Sequence, residues 1–155
     1  MPSSPEKRLQ ELHITLPTAP KPMAKYKSAV LAGNMLYVSG HGPASIPGVM
    51  TAGKLGKDLN VEQGKQTARA VGLNILATTK ATLGSLDKVK RLVKTLGMVN
   101  GVPDFTEQPA VINGFSELMA DVFGEDAGVG ARSAVGMGSL PMNIPVEIEC
   151  IFEVS

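Results

Sequence analysis

The sequence contains no tryptophan, only two tyrosines and four phenylalanines, and a single cysteine, and each shortage removes a class of protein. One cysteine cannot build a disulfide framework, and a lone thiol suits a reducing compartment. Two histidines and that cysteine, widely spaced, do not make a zinc-ligand pattern. No stretch approaches the roughly 20 apolar residues of a membrane span, and no basic segment followed by an apolar run opens the chain. The expectation is a cytoplasmic protein without a membrane partner. Charge of either sign is also scarce: fifteen Lys and Arg against fourteen Asp and Glu leave +1. The densest basic stretch is Lys88 to Lys94, with four cations in seven residues. That balance, with so few aromatics for base stacking, argues against a dedicated nucleic-acid binder.

What is present is aliphatic. A chain of 155 residues fits one domain, which at that size buries roughly 70% of the surface its unfolded chain exposes. Its core must come from Val, Ile and Leu, with eight methionines as adaptable filler. Cys150 lies in the alternating run Val146, Ile148, Cys150, Phe152, which reads as the inert, buried face of a strand.

The element signals run in order along the chain. Ser4 can cap a short helix with Pro5 in its first turn and Leu9, Leu12 and Ile14 on its apolar side. Pro17, Pro20 and Pro22 then forbid regular structure, so residues 15–24 are expected to be an extended arm. Tyr26 to Leu31 and Met35 to Ser39 read as strands joined at Gly33-Asn34. A glycine- and proline-rich loop covers 42–58. Asn60, with Gln63 three residues later, opens a long helix ending at Gly84, with Val71, Ile75, Thr78 or Thr79 and Thr82 along its buried stripe. Lys88 to Val99 alternates as a strand, with Val89, Val93 and Val99 on one side. A second helix spans about Glu107 to Phe123, before Gly124. Arg132 to Leu140 and Val146 to Val154 are the last strands, read as a hairpin about Pro141-Met142-Asn143.

Two long helices among five strands predict a two-layer α+β domain with both helices on one face of a mixed sheet. Residues 1–23 form the helix and arm, and 24–155 the single domain. In the expected final hairpin Val135 and Met137 share the core face with Ile148, Cys150 and Phe152. The opposite face then carries Arg132, Ala134, Gly136, Gly138, Glu147, Glu149 and Ile151. So bare a face calls for another subunit. That geometry also sets Arg132 about six positions from Glu147, on the order of 20 Å.

The run Ala131-Arg132-Ser133-Ala134-Val135, then Leu140-Pro141, then Val146-Glu147-Ile148-Glu149 resembles the signature of the RidA (reactive intermediate deaminase, YjgF, "endoribonuclease L-PSP") superfamily. Gly33-Asn34, Tyr37-Val38-Ser39-Gly40 and Asn113 add to the likeness, which covers about residues 24–154. The resemblance implies a chorismate-mutase-like subunit in a homotrimer whose sheets form a barrel, with three clefts between neighbours. It implies hydrolysis of 2-imino or 2-enamino acids to 2-oxo acids and ammonia, without a metal or organic cofactor. By residue, it implies that Arg132 holds the substrate carboxylate and Glu147 activates water. Tyr26 closes the cleft, the backbones of Gly40 and Ala134 supply hydrogen bonds, and Asn113 lies beside the substrate.

The residue types suit that chemistry. A guanidinium grips a carboxylate through two parallel bonds, and a carboxylate can deprotonate a water held against an electrophilic carbon. His41 stands where many members carry glutamine. It reads either as a loop histidine with satisfied nitrogens or as a titratable group at the cleft. Two other functions fit the same residues: a non-catalytic trimer that binds small carboxylates such as 2-oxo acids, and, with less support, an RNA-cleaving protein.

Overall fold

The computed structural model describes residues 2–155. Its elements are α1 (Pro5–Glu11), β1 (Ala29–Ala32), β2 (Met35–His41), α2 (Val61–Leu83), β3 (Val89–Asn100), α3 (Gln108–Phe123), α4 (Glu125–Gly128), β4 (Ala131–Met137) and β5 (Val146–Val154). One sheet of order β1-β2-β5-β3-β4 carries α2 and α3 on one face. Only the β3–β4 pair is parallel, so the sheet is mixed, as expected.

Local signals set the helix ends. The Ser4 hydroxyl accepts from the Lys7 N–H, and Asn60 and Gln63 form a reciprocal capping box at the start of α2. Gly84 closes α2 with φ +85°, a value that suits glycine. Thr82, expected on the buried stripe, is exposed, whereas Val71, Ile75, Thr78 and Thr79 are buried. The two long helices approach backbone to backbone, since a Cβ on Gly114 would strike the Lys65 carbonyl. α3 in turn sits low on β3, where a Cβ on Gly97 would strike Ile112. One-turn α4 was not signalled by any periodicity, being shorter than one hydrophobic repeat.

The arm lies against the helix layer. Glu6 accepts from the Leu86 N–H (2.9 Å) and from Lys80 Nζ (2.7 Å). Leu9 is buried and Ile14 and Leu16 lean on the core. Residues 12–28 hold no regular element.

Bulges account for three departures from the expected strands. β1 begins at Ala29 rather than Tyr26. Opposite it β2 becomes irregular between Val38 and His41, and Ser39 Oγ donates to the Lys27 carbonyl (2.6 Å) where a ladder would continue. In β3, register shifts between Val89 and Arg91 and between Leu92 and Lys94 turn Leu92 into the core. Val93, expected inside, is only half-buried. The Gly33-Asn34 turn forms as read, with positive φ at Gly33 alone.

The larger correction concerns the final strands. β4 and β5 are not a hairpin: β4 is an edge strand parallel to β3, and β5 lies between β2 and β3. The segment between them steps over the end of β3. There buried Asn100 donates from Nδ2 to Asn143 Oδ1 (3.0 Å) and from its backbone N–H to the Pro145 carbonyl (2.9 Å). Crossing one strand requires only two inter-strand spacings, about 10 Å, which residues 138–145 easily span.

The face assignment of β4 changes with it. Thr95 pairs with both Arg132 and Cys150, and Gly97 with both Ala134 and Ile148. Arg132, Ala134 and Gly136 therefore point toward the helices, and Val135 and Met137 point away from them. The open face carries Tyr37, Leu96, Met98, Val135, Met137 and Ile151, together with Lys94, Glu147, Glu149 and Glu153. It is an apolar tract edged by charge, not a bare face of glycines.

Candidate functional site

Arg132 follows directly on the start of β4 and reaches over α3. Its Nη1 donates to Asn113 Oδ1 (2.8 Å) and to Ser116 Oγ (3.1 Å), and its Nη2 to the Pro109 carbonyl (3.4 Å). Asn113 and Ser116 are three residues apart on one side of α3, which is why both meet the same nitrogen. Among the described residues no carboxylate pairs with Arg132, so a half-buried cation is held by three uncharged acceptors. Ala134, next on the same side of β4, is half-buried against the core. Ser116 was not singled out from the sequence. The available signal was its one-turn spacing from Asn113.

Glu147 lies on the open face of β5, half-buried. Burial pushes its carboxyl above the usual carboxylate range, and the neighbouring charge of Glu149 pushes it the same way. Gly40 lies against it: a Cβ there would overlap Glu147 Oε1 and stand 3.1 Å from Cδ. The bulge of β2 brings that bare backbone up to the carboxyl. Tyr26, about half exposed, sits in the segment before β1, with its backbone N–H on the Ala24 carbonyl (2.9 Å) and its hydroxyl 3.5 Å from the Met23 N–H.

His41 is a core residue, which corrects its placement beside a ligand. By simple alternation it would share the open face with Tyr37, but the bulge at Ser39-Gly40 shifts the phase by one and turns it inward, paired with Ile148. Its Nδ1 lies 2.6 Å from the Ser39 carbonyl and its Nε2 2.8 Å from Thr78 Oγ1. A carbonyl only accepts, so Nδ1 carries the proton and Nε2 accepts from the threonine hydroxyl. Burial lowers the imidazole pKa, partly offset by the Ser39 carbonyl. The satisfied-histidine reading is the one realised.

The chain thus assembles two groups, Arg132 with Asn113 and Ser116, and Glu147 with Gly40, on opposite faces of the sheet. Glu147 is level with Met98, three positions from the Thr95 row of Arg132 and two strands over, or about 14 Å between Cα atoms. This replaces the longer separation expected from a hairpin.

The family profile described as Endoribonuclease L-PSP matches residues 16–154. The chain is 44% identical over 147 residues to Protein TCP17 of Trypanosoma cruzi, covering 95% of this chain and 92% of that one. It is 30% identical over 139 residues to a 2-iminobutanoate/2-iminopropanoate deaminase of Dermatophagoides farinae, covering 89% and 92%. The crystal structure of Atu1372 from Agrobacterium tumefaciens, a protein of unknown function, superposes with a TM-score of 0.87 at 45% identity, covering 97% and 92%.

Proposed function

The chain belongs to the endoribonuclease L-PSP (RidA/YjgF) family, and from that premise we propose that it hydrolyses 2-imino or 2-enamino acids to 2-oxo acids and ammonia in clefts between the subunits of a trimer. The observation that carries the reading is the guanidinium of Arg132: fixed in place, half-buried and paired with no acid among the described residues. Such a cation favours an incoming carboxylate, because its charge is not already neutralised. The relative whose name states an iminobutanoate and iminopropanoate substrate supports the same substrate class.

In this reading water adds to C2 of the imine while Glu147 takes its proton. That proton passes to the imine nitrogen to give a carbinolamine; the hydroxyl proton then moves to the same nitrogen as the C2–N bond breaks, releasing ammonia and leaving the 2-oxo acid. A carboxyl with a raised pKa is a stronger base than an ordinary one once ionised. Within one subunit Arg132 and Glu147 cannot serve one small ligand, so Glu147 would be supplied by the neighbour. A trimer would also cover the apolar tract of the open face. The RNA-cleaving alternative gains nothing from His41, which is buried with both nitrogens engaged.

The test is complementation. Arg132→Ala and Glu147→Gln should each abolish oxo-acid release from 2-iminobutanoate generated in situ. Refolded together in equal amounts, they should recover about one quarter of wild-type activity. Three quarters of random trimers are mixed, and every mixed trimer has one intact cleft of three. Folded, trimeric mixtures without turnover would remove the shared site. Wild-type protein that binds 2-oxobutanoate at Arg132 but never turns over imine would leave a binding protein instead.

A further inference from the structure

We propose that Ser116 is a positioning residue for Arg132: with Asn113 it holds Nη1, so that the guanidinium presents its Nε–H and the parallel Nη2–H beside it as a fork for a carboxylate. This rests on the assignment of Arg132 as the ligand-binding cation, and it specifies which edge of that cation does the binding. Asn113 Oδ1 and Ser116 Oγ take both hydrogens of Nη1, at 2.8 and 3.1 Å. The Pro109 carbonyl takes one hydrogen of Nη2 at 3.4 Å. In the proposed arrangement the Pro109 carbonyl takes the Nη2–H that faces Nη1, which leaves Nε–H and the Nη2–H parallel to it on one edge, and two parallel donors on one edge are what a planar carboxylate accepts.

Without Ser116 the guanidinium would keep Asn113 on Nη1 and only the long, 3.4 Å contact of Nη2 with the Pro109 carbonyl, too weak a second hold to stop it pivoting. Two acceptors a helical turn apart prevent the pivot. The backbone of α3 does not vary with the rotamer of Arg132, so the fork is aimed before any ligand arrives, and the ordering cost is met in folding rather than binding. The hydroxyl can also accept without carrying charge, which keeps the cation un-neutralised. An Asp or Glu at 116 would hold the guanidinium as firmly but would compete with the substrate for its charge.

Two measurements test this. The first is the pair of Arg132 Nη signals in 15N spectra of the full-length protein, identified by their loss in Arg132→Lys. Slow rotation should keep them resolved in the wild type and in Ser116→Thr, and they should merge in Ser116→Ala. The second is binding by calorimetry, with 2-oxobutanoate and 2-oxobutanamide as probes. Ser116→Ala should weaken the carboxylate by about tenfold and the amide by less than about twofold, because only the carboxylate uses both donors. Ser116→Thr should restore the carboxylate affinity. Nη signals that stay resolved in Ser116→Ala, or equal losses for the two probes, would overturn the proposal. If wild type and Arg132→Ala bind 2-oxobutanoate equally, the assignment of Arg132 fails, and the Nη signals still decide whether Ser116 positions it.

Discussion

Replacing Gly40 by alanine separates catalysis from stability. A Cβ at position 40 would overlap Oε1 of Glu147 and lie 3.1 Å from its Cδ, whereas ordinary carbon contacts begin at about 3.4 Å. The carboxyl must therefore move by about 1 Å or more. It can do so cheaply, because it is the end of a flexible, half-buried side chain. Nor does the backbone resist, since Gly40 is not among the positive-φ glycines, and an alanine stiffens the unfolded chain by about 0.4–1 kcal/mol in favour of folding. The expected net change in unfolding free energy is within about 1 kcal/mol. A base displaced by about 1 Å, however, costs on the order of 100-fold in rate. Steady-state hydrolysis of an in situ imine should therefore show kcat down about 100-fold with KM nearly unchanged, because the carboxylate grip lies at Arg132. Adding Glu147→Gln to Gly40→Ala should cost nothing beyond Glu147→Gln alone. An unchanged kcat in a correctly folded Gly40→Ala protein would refute the reasoning, since Glu147 would then not need its observed position. A loss confined to KM would instead make Gly40 a substrate contact.

Glu147 must be ionised to act as a base, so kcat/KM should fall on the acid side with a limb above the usual carboxylate range. Glu149→Gln removes the neighbouring negative charge and should move that limb to lower pH; a stationary limb would dissociate Glu149 from the base. His41 is buried with a lowered pKa, so the stability it contributes is present above the unfolded-state value of about 6.5 and lost as pH falls below it. Calorimetry between about pH 7 and 5 should accordingly show a flatter fall of Tm in His41→Gln than in the wild type. Burial pushes the Cys150 thiol far up, so a disulfide reagent should label no thiol in the native protein and one after unfolding.

The parts of the fold legible in the sequence are those specified by neighbouring residues. Asn60 and Gln63 announce α2, Gly84 and Gly124 end the two long helices, and Gly33 makes the first hairpin. These are i to i+3 or i+4 relations, which a linear reading contains. Strand partners are not: alternation in 131–140 and 146–154 says that both are strands, but not that β3 lies between them. Bulges defeat alternation in the same way, because one extra residue reverses every later side chain. That is how Val93 came to be grouped with Val89 and Val99, and why alternation from Tyr37 does not reveal that His41 faces inward.

The reversal on β4 has a different cause, and it bears on function. Small Ala134 and Gly136 face the helices because α3 sits close there: a Cβ on Gly136 would stand 3.0 Å from Gln108 Nε2. Larger Val135 and Met137 face outward, with Val135 38% exposed. Assigning the bigger apolar residues to the core, a sound rule for a sheet covered on one side only, therefore fails here. It fails because the second face of this sheet is itself broadly apolar. Tyr37, Leu96, Met98 and Ile151 continue the tract across three further strands. In the proposed trimer the subunit contact expected at Ala134, Gly136 and Gly138 would fall on this tract instead. A charge set into the tract, such as Val135→Lys, should weaken self-association while leaving the α2–α3 core intact. With the contact would go any cleft that needs Arg132 from one chain and Glu147 from the next. Sedimentation and imine turnover should therefore decline together in that variant, and full activity in a monomer would show that one chain suffices.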